Sequence, residues 1–415
     1  MSILNQYFRR IAHLPPALLI VLIGLLYAFL IFGRSEKPFY SDPGLMYLQT
    51  VDVLQRGDFV FDYQGRDIDP EYRLLPFRRP FLEKVNNEYY IDFPPYWPLI
   101  NAPLLWLMDT AGLFIWNLTA FVLTLIVIAG ITRIFLNTNA AMNLAILLYS
   151  FGCAAPLYTL YFHEYTVALL PATLSFYLIL RYVHSGERRR DAVLAGFCAA
   201  ISLYFRLEFV FFYIAIGLYP LLRNRRLELR GGLLMLAGFA LPFCVLLYCN
   251  QQIHGHPLGL RYTLTMNAVM GSPAGHPADT EQQADTESNG STGPELQRSD
   301  PTTPQSDESR PAPDTTPGDH LLDPLPDGGN DRLAIIQSLL FSRLRGLFYQ
   351  SPFLLLGMFL WAYARWKRSA RDLFPSAMVL LISGTLILLF APNTGDHFAP
   401  RYLFVLIPPA IVLGV

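Results

Sequence analysis

The sequence predicts an all-α, polytopic membrane protein with about ten transmembrane helices and a long first outer loop that contains interfacial helices. Of its 415 residues, 53% are hydrophobic and only 15% are charged, and the mean hydropathy is +0.33. Apolar runs recur at about 20 residues, the length needed to cross a hydrocarbon core. These runs do not alternate apolar and polar residues as barrel strands do, so the spans should be helices.

The first apolar run covers residues 15–33 and follows Arg9 and Arg10. Basic residues before a first span place the N-terminus in the cytoplasm. The run is long for a signal peptide and has no small-residue cleavage site, which predicts an uncleaved anchor. The outer loop, residues 34–112, is polar and aromatic. Its apolar run 99–108 contains Pro103 and is too short to span, so we expect a re-entrant or interfacial segment.

The remaining spans are placed by charge as well as by length. With run 99–108 kept at the interface, the basic clusters at 181–190, 223–230 and 365–371 all face the cytoplasm, whereas counting residues 97–112 as a span would reverse each of them. Both chain ends are then inside. The later spans are predicted at about 113–135, 140–161, 165–183, 191–205, 207–222, 231–250, 349–365, 373–391 and 400–415.

One stretch allows two interpretations. Residues 191–222 form a nearly continuous apolar run that would be about 48 Å long as a single helix. Because a hydrocarbon core is about 30 Å thick, two spans hinged near Arg206-Leu207-Glu208 fit better than one. A single long tilted helix is the alternative.

Composition changes abruptly at residues 271–331, which are rich in Pro, Ser, Thr, Asp, Glu and Gly. Such a segment buries too little apolar surface to order itself and predicts a disordered outer loop. Residues 333–347 follow with the pattern of an amphipathic interfacial helix. The chain is therefore divided into an N-terminal membrane region (1–270), the disordered loop (271–331) and a C-terminal membrane region (332–415).

The predicted topology gathers ionisable residues on the non-cytoplasmic side. Charged groups at membrane depth are costly and usually line a polar cavity, so this gathering indicates a site at the outer interface. Nucleic acid is excluded as a partner because no basic stripe is interleaved with aromatic residues. The gathered residues are Asp42, Asp92, His163, Glu164, Arg206, Glu208, Arg261, Asp396, His397 and Arg401.

Four short sequence segments are informative because of the order in which they occur along the chain. They are Ser41-Asp42 directly after the first span, Pro94-Pro95-Tyr96-Trp97-Pro98, His254-Gly255-His256-Pro257-Leu258 with Arg261-Tyr262, and Phe398-Ala399-Pro400-Arg401-Tyr402-Leu403 leading to Pro408. With the span pattern, they resemble the GT-C superfamily of integral-membrane glycosyltransferases, such as protein mannosyltransferases and aminoarabinose transferases. The resemblance covers most of the chain except 271–331. Pro43 stands where the superfamily often has a second acidic residue, which leaves metal use and the subfamily open.

The resemblance implies a polyprenyl-phosphate-linked sugar donor and a lipid, glycan or protein acceptor. Asp42 is the candidate catalytic base for the acceptor hydroxyl, although Asp-Pro-Gly is also turn chemistry. Arg401, then Arg206 and Arg261, are candidates for binding the donor phosphate, because a planar guanidinium binds phosphate oxygens in pairs. The alternatives are a snorkelling arginine and, for Arg206, an internal ion pair with Glu208.

Further residues are assigned to acceptor or sugar binding, or to positioning. His163 and Glu164 could bind acceptor or position Asp42, or else form a solvated pair at a helix terminus. The other members of this group are Glu208, Asp92 and Tyr402. Asp92 and Asp396-His397 could contribute to a Mg²⁺ or Mn²⁺ site, since carboxylates suit these ions, but their spacing is not specific.

Two other classes of function compete with the transferase. A secondary transporter or lipid-linked-sugar flippase usually has two related halves and polar residues near the bilayer midplane. Here the polar residues lie at one face and the long first outer loop has no counterpart, which favours the transferase. A non-catalytic scaffold would tolerate joint replacement of the outer carboxylates.

Overall fold

The computed structural model describes most of the chain up to residue 260 and short stretches after it. The chain divides into two units, Met1–Arg261 with Gly328–Val415, and Tyr262–Asp327, and the second lies outside the described residues. So do the predictions for 271–331 and 349–365, and those for 333–347 apart from residue 340. The described residues are 13–34, 39, 42–62, 67–68, 82–85, 88–185, 188–223, 229–260, 340, 374–390, 401–407 and 410–411.

Helices make up nearly all of the described chain. In chain order they are α1 (Pro16–Phe32), α2 (Asp42–Arg56), α3 (Tyr96–Gly112), α4 (Ile115–Phe135), α5 (Asn139–Phe151), α6 (Tyr165–His184), α7 (Arg189–Leu203), α8 (Val210–Arg223), α9 (Leu229–His254) and α10 (Phe374–Phe390). Three 3₁₀ helices, Ala155–Thr159, Leu207–Phe209 and Arg401–Leu406, lie between or after them.

The helices have the composition of a membrane protein. Among the described residues, α4, α6 and α9 are long and apolar enough to cross a bilayer, and Pro16–Phe32, Asn139–Phe151, Leu207–Pro220 and Pro375–Leu388 are shorter apolar helices. Large apolar side chains such as Phe29 on α1 and Leu241 on α9 are exposed. Such faces suit contact with lipid, where exposed leucine and phenylalanine carry no cost.

The apolar run 191–222 comprises two helices, α7 and α8, separated by Tyr204–Arg206 and a 3₁₀ turn. Arg206 has an extended backbone (φ −148°, ψ 101°) at this break. Leaving the helix here allows a charged side chain in the middle of an apolar run to turn toward polar partners rather than toward lipid. The break is therefore what positions Arg206 in the site.

The outer loop contains more structure than the sequence indicates. Its helix α2 is amphipathic and buries Leu45, Met46 and Val53. An antiparallel hairpin, β1 (Leu82–Val85) with β2 (Glu88–Ile91), pairs Leu82 with Ile91 and Val85 with Glu88. Tyrosine and isoleucine in β2 favour a strand, so the fold is not purely α-helical.

Two other segments differ from their predicted bounds. Helix α3 extends beyond 99–108 to Gly112 and breaks at Asp109, the one described non-glycine residue with positive φ (53°). The predicted span 140–161 is helical only to Phe151, after which Gly152 and a 3₁₀ helix containing Pro156 follow. Glycine and a proline that removes a backbone donor both end α-helices readily.

Candidate active site

Asp42 is the first residue of α2, where a carboxylate interacts favourably with the positive end of the helix dipole. Pro43 follows in the first turn, a position that tolerates proline. The Asp42 side chain is only 1% exposed, and its Oδ2 lies 3.7 Å from Nε2 of His163. The carboxylate therefore does not point into bulk solvent, and the Asp-Pro-Gly sequence begins a helix.

His163 and Glu164 directly precede α6. Their side chains are 3% and 0% exposed, and Nδ1 of His163 lies 2.8 Å from Oε2 of Glu164. The imidazole also packs against the rings of Tyr158 and Tyr165, with centroid distances of 5.2 and 4.8 Å. The interpretation of this pair as a solvated helix terminus is wrong, because both side chains are buried.

Arg206 joins this pair from the α7–α8 break. Its side chain is 1% exposed, forms an ion pair with Oε1 of Glu164, and lies 3.3 Å from Oε1 of Glu208. The guanidinium carbon sits 3.7 Å from the centroid of the Tyr165 ring, a cation–π arrangement. The Tyr165 hydroxyl donates to Glu208 over 3.1 Å. The internal ion pair, offered above as the alternative for Arg206, is present.

We call the five residues Asp42, His163, Glu164, Arg206 and Glu208 the buried array. Three carboxylates and one guanidinium leave two negative charges when His163 is neutral, and one when it is protonated. Burial would by itself raise the pKa of Glu164, but Arg206 and then His163 beside it hold that pKa below the usual glutamate value. The five side chains thus form a buried polar core with a negative formal charge.

A cleft that is partly open to solvent adjoins the array. Arg206 and Glu208 belong to both the array and the cleft, while Asp92 adds a carboxylate and His254 an imidazole to the cleft lining. The rest of the described lining is aromatic or aliphatic apart from a few polar groups. Its residues are Ile91, Phe93, Pro94, Pro95, Tyr96, Leu203, Tyr204, Phe205, Leu207, Leu246, Asn250, His254, Leu258, Gly259 and Leu260.

Two of the sequence segments singled out above meet at this cleft. The Tyr96 hydroxyl donates to Oδ1 of Asn250 over 2.8 Å, and Nδ2 of Asn250 donates to the carbonyl of Pro257 over 3.2 Å. The Tyr90 and His254 rings pack edge to face at 5.7 Å. Asn250 thus ties the Pro-Pro-Tyr-Trp-Pro segment to the His-Gly-His-Pro-Leu segment.

The structure brings some predicted site residues together and separates others. Asp92, Arg206 and Glu208 line the cleft. The other three members of the array, Asp42, His163 and Glu164, are not among its described lining residues. They are connected to the cleft by the ion pair between Glu164 and Arg206. Arg261, Asp396 and His397 lie outside the described residues. The backbones of Arg401 and Tyr402 belong to the 3₁₀ helix Arg401–Leu406, and their side chains lie outside the described part of the chain.

Sequence reasoning missed Asn250, and it named His254 only within the His-Gly-His-Pro-Leu segment and not as a site residue. The two residues lie four positions apart at the end of α9. A polar pair at that spacing shares one helix face, and this could have indicated them. Trp97, in the Pro-Pro-Tyr-Trp-Pro segment, is fully buried. The Trp97 ring packs on Phe162 at 5.2 Å and on Phe205 at 6.4 Å, next to the two charged segments of the array.

The described residues do not fit a magnesium or manganese site. Within this part of the chain, no group of three or more His, Cys, Asp or Glu side chains is placed to hold a metal ion. Hard cations of this kind need several oxygen ligands around one point. No step below is assigned to a metal.

Comparisons with known proteins add little to this picture. No protein-family model matches the sequence, and no curated protein matches it either. Among solved structures, the apo form of the Archaeoglobus fulgidus oligosaccharyltransferase aligns with a TM-score of 0.44 and 12% identity, covering 95% of this chain and 49% of that one. The chain spans about half the length of that structure. A TM-score below 0.5 does not establish a shared fold, so function has to be argued from the site.

Proposed function

We propose that this chain is an integral-membrane glycosyltransferase. It moves a sugar from a polyprenyl-phosphate donor to a lipid, glycan or protein acceptor on the non-cytoplasmic face. The observation that supports this best is the buried array: a carboxylate directly after the first apolar helix is linked through His163 and Glu164 to Arg206 and a cleft. Such an arrangement of carboxylates and a cation beside apolar helices suits a lipid-borne substrate.

The proposed reaction is a single displacement. Asp42 accepts the proton of the acceptor hydroxyl while its oxygen attacks the anomeric carbon, and the bond from that carbon to the phosphate oxygen breaks. One displacement inverts the anomeric centre. A positioned carboxylate contributes typically about 10²–10⁴-fold to such a step. Low exposure of Asp42 also keeps competing water away from the sugar.

The leaving phosphate needs positive charge. Arg206 is already paired with Glu164 and Glu208, so less of its charge is available to a phosphate. Arg401 and Arg261 therefore carry this part of the proposal. Both are close in sequence to residues next to the site: Arg261 follows Leu260, which lines the cleft, and Arg401 precedes Phe404, which packs on Tyr158 and Tyr165.

The acceptor is proposed to enter through the cleft, with its attacking hydroxyl extending past Arg206 toward Asp42, which does not itself line the cleft. Asp92 and Glu208 offer carboxylates to hydroxyl groups there, and Tyr96 and Tyr204 offer aromatic faces. Tyr402 stays a candidate for the same role. About ten spans with both ends in the cytoplasm would put the cleft on the outer face.

Mass spectrometry of cell-surface lipids and glycans, with and without this gene, tests the proposal. Loss of one glycan or lipid modification is expected on deletion, and wild-type protein should restore it. Asp42→Asn should not restore it at equal membrane abundance. Asp109→Asn is the matched control, because Asp109 is an exposed aspartate in the same outer region and asparagine has nearly the same shape as aspartate. Identical profiles in all strains would refute the proposal.

A further inference from the structure

We propose that the cleft binds a saccharide, free or carried by a lipid, as the acceptor of the transfer, and that Glu208 is the residue that selects it. Oε2 of Glu208 accepts hydrogen bonds from sugar hydroxyls, while the rings of Tyr96 and Tyr204 provide the surface on which the sugar ring packs. Arg206 and Tyr165 act through Glu208 as positioning residues. This inference rests on the proposed function, and it narrows three classes of acceptor to one.

The two carboxylate oxygens of Glu208 have different surroundings. Oε1 accepts from the Tyr165 hydroxyl over 3.1 Å and from Nη1 of Arg206 over 3.3 Å. Among the residues that the structure describes, none donates to Oε2. The side chain lines the cleft and is 19% exposed there. Because each carboxylate oxygen can accept about two hydrogen bonds, Oε2 is open to a ligand that carries donors.

The contacts of Oε1 hold the carboxylate in place before a ligand arrives. Arg206 and Tyr165 are each 1% exposed, and the guanidinium contacts Glu164, Glu208 and the Tyr165 ring at once. Glu208 also lies in the 3₁₀ turn Leu207–Phe209, at the break between α7 and α8. A side chain that is already fixed loses less freedom on binding, so Glu208 is preorganised to recognise a ligand.

Two aromatic rings of the cleft are fixed in a similar way. The Tyr96 hydroxyl donates to Oδ1 of Asn250 over 2.8 Å, and the Tyr204 hydroxyl donates to the carbonyl of Pro242 over 2.8 Å. The two rings pack edge to face, with centroids 4.8 Å apart and an angle of 64° between their planes. Because both hydroxyl protons are used within the protein, these half-buried rings offer mainly apolar surface to a ligand.

A ligand for this cleft therefore needs apolar faces and hydrogen-bond donors on one compact frame. A sugar ring has both, since its C–H faces can pack on Tyr96 and Tyr204 while the hydroxyls at its edge donate to Glu208. Adjacent hydroxyls diverge from a sugar ring. With one of them held by Glu208, another can extend past Arg206 toward Asp42, as the proposed reaction requires.

The other two classes of acceptor fit less well. A hydrocarbon chain in the cleft would take Oε2 of Glu208 out of water without giving it a donor, and sites built to bind a hydroxyl reject ligands that lack one for this reason. A peptide segment needs donors for its own carbonyl groups. The Asn250 amide is used at both ends, by the Tyr96 hydroxyl and by the carbonyl of Pro257.

The first arm of the test measures binding alone, without donor and without transfer. Full-length protein in lipid nanodiscs is mixed with methyl glycosides of hexoses, pentoses and amino sugars, and saturation-transfer NMR reports which of them bind. We expect at least one to bind, and its affinity should fall about tenfold in Glu208→Gln, because a neutral amide replaces a charged acceptor. The amide oxygen keeps the contacts with Tyr165 and Arg206, so the fold should not change.

Glu88→Gln is the matched control for the binding arm. Glu88 also accepts from a tyrosine hydroxyl, that of Tyr90 over 3.0 Å, but it is exposed and is not among the described lining residues of the cleft. Its substitution should leave glycoside binding unchanged. Failure of every glycoside to bind the wild type, or equal binding by Glu208→Gln, would overturn the inference.

The second arm separates failure of this inference from failure of the proposed function. Protein in nanodiscs receives lipid-linked sugars extracted from the cell's own membranes and, separately, four acceptor fractions: free glycans, glycolipids, lipids without sugar, and peptides. Product should form with glycans or glycolipids, and the fraction that reacts identifies the source of the saccharide. Glu208→Gln should raise the acceptor KM about tenfold with little change in kcat, and Tyr165→Phe should raise the same KM by less.

The outcomes of the second arm are distinct. Product formed only with sugar-free lipids or peptides would overturn the saccharide assignment while confirming glycosyl transfer. An unchanged acceptor KM in Glu208→Gln would show that Glu208 does not select the acceptor. Glycoside binding that depends on Glu208, with no product from any fraction, would refute the proposed function and leave the cleft as a saccharide-binding site.

Discussion

Helices α7 and α9 form the most extensively packed helix pair of the described chain, and two glycines make this possible. A Cβ at Gly196 would lie 1.8 Å from the carbonyl oxygen of Met235, and one at Gly238 would lie 1.9 Å from that of Val193. Ordinary contact begins at 3.4 Å, so at Gly196 the backbones would have to move apart by about 1.6 Å. Neither obstacle is a side chain that can rotate away.

Gly196→Ala should therefore destabilise the protein although alanine is the better helix former. Overpacking costs roughly 1–3 kcal/mol, and the helix propensity of alanine recovers about 1 kcal/mol. We expect a net loss of about 0–2 kcal/mol in the free energy of unfolding, which is about 1–3 kcal/mol below a glycine-to-alanine change that meets no clash. Gly238→Ala should lower the free energy of unfolding by a similar amount. The double variant should lose less than the sum, because one separation of the helices relieves both clashes.

The assay is unfolding of purified protein by a titration with sodium dodecyl sulfate in mixed micelles, followed by tryptophan fluorescence. Gly217→Ala is the matched control, because nothing lies within 4 Å of a Cβ built on this helical glycine of α8. It should equal the wild type or exceed it slightly. If Gly196→Ala is as stable as Gly217→Ala, helices α7 and α9 are not in backbone contact and the packing is wrong.

Three further predictions follow from single side chains. Arg206→Met should cost about 3–5 kcal/mol in the same assay, because it leaves Glu164 charged and buried, and Glu164→Gln in the same chain should recover most of the loss. Burial raises the pKa of Asp52 from 3.8 to about 6, so its contribution to stability is complete below pH 4 and is lost as pH rises through 6; Asp52→Asn should raise the melting temperature at pH 7.5 and not at pH 4. Trp106, 73% exposed on α3, should be quenched by brominated lipids, and Trp106→Phe should remove that quenching.

A specific result would contradict each of these three predictions. A double variant of Arg206 and Glu164 as unstable as Arg206→Met would mean that the ion pair is not what the arginine supplies. Asp58→Asn is the control for Asp52, since its half-exposed carboxylate lies in the same segment. Equal effects of both substitutions would exclude burial as the cause. Unchanged lipid quenching in Trp106→Phe would place the end of α3 away from the bilayer.

The sequence predicts those features that depend on neighbours along the chain. A helical membrane protein follows from the apolar runs, and a break near Arg206 follows from charges inside one of them. The burial of His163 could not be predicted in this way. Its partner Asp42 lies on α2, and Arg206, which pairs with the neighbouring Glu164, lies at the α7–α8 break; both are far away in sequence. Only packing shows whether a charged residue at a helix start meets water or another charge.

The sequence could not predict the hairpin or the cleft, for a similar reason. Residues 88–91 are too few to show an alternating pattern, and their pairing with β1 is a contact between two segments that neither segment predicts alone. Asn250 and His254 end an apolar helix, where polar residues are ordinary. Their contacts with Tyr96 and Tyr90 give them a place in the site, and those contacts join segments far apart in the chain.

Transfer of radiolabelled sugar by the purified protein in nanodiscs tests most directly whether the buried array catalyses glycosyl transfer. Wild-type protein given extracted polyprenyl-phosphate sugars and a membrane acceptor fraction should form a glycosylated product with an inverted anomeric centre. Asp42→Asn should bind the donor and form none. Product formed by Asp42→Asn at the wild-type rate, or sugar lipid crossing a proteoliposome bilayer with no product from the wild type, would contradict the assignment.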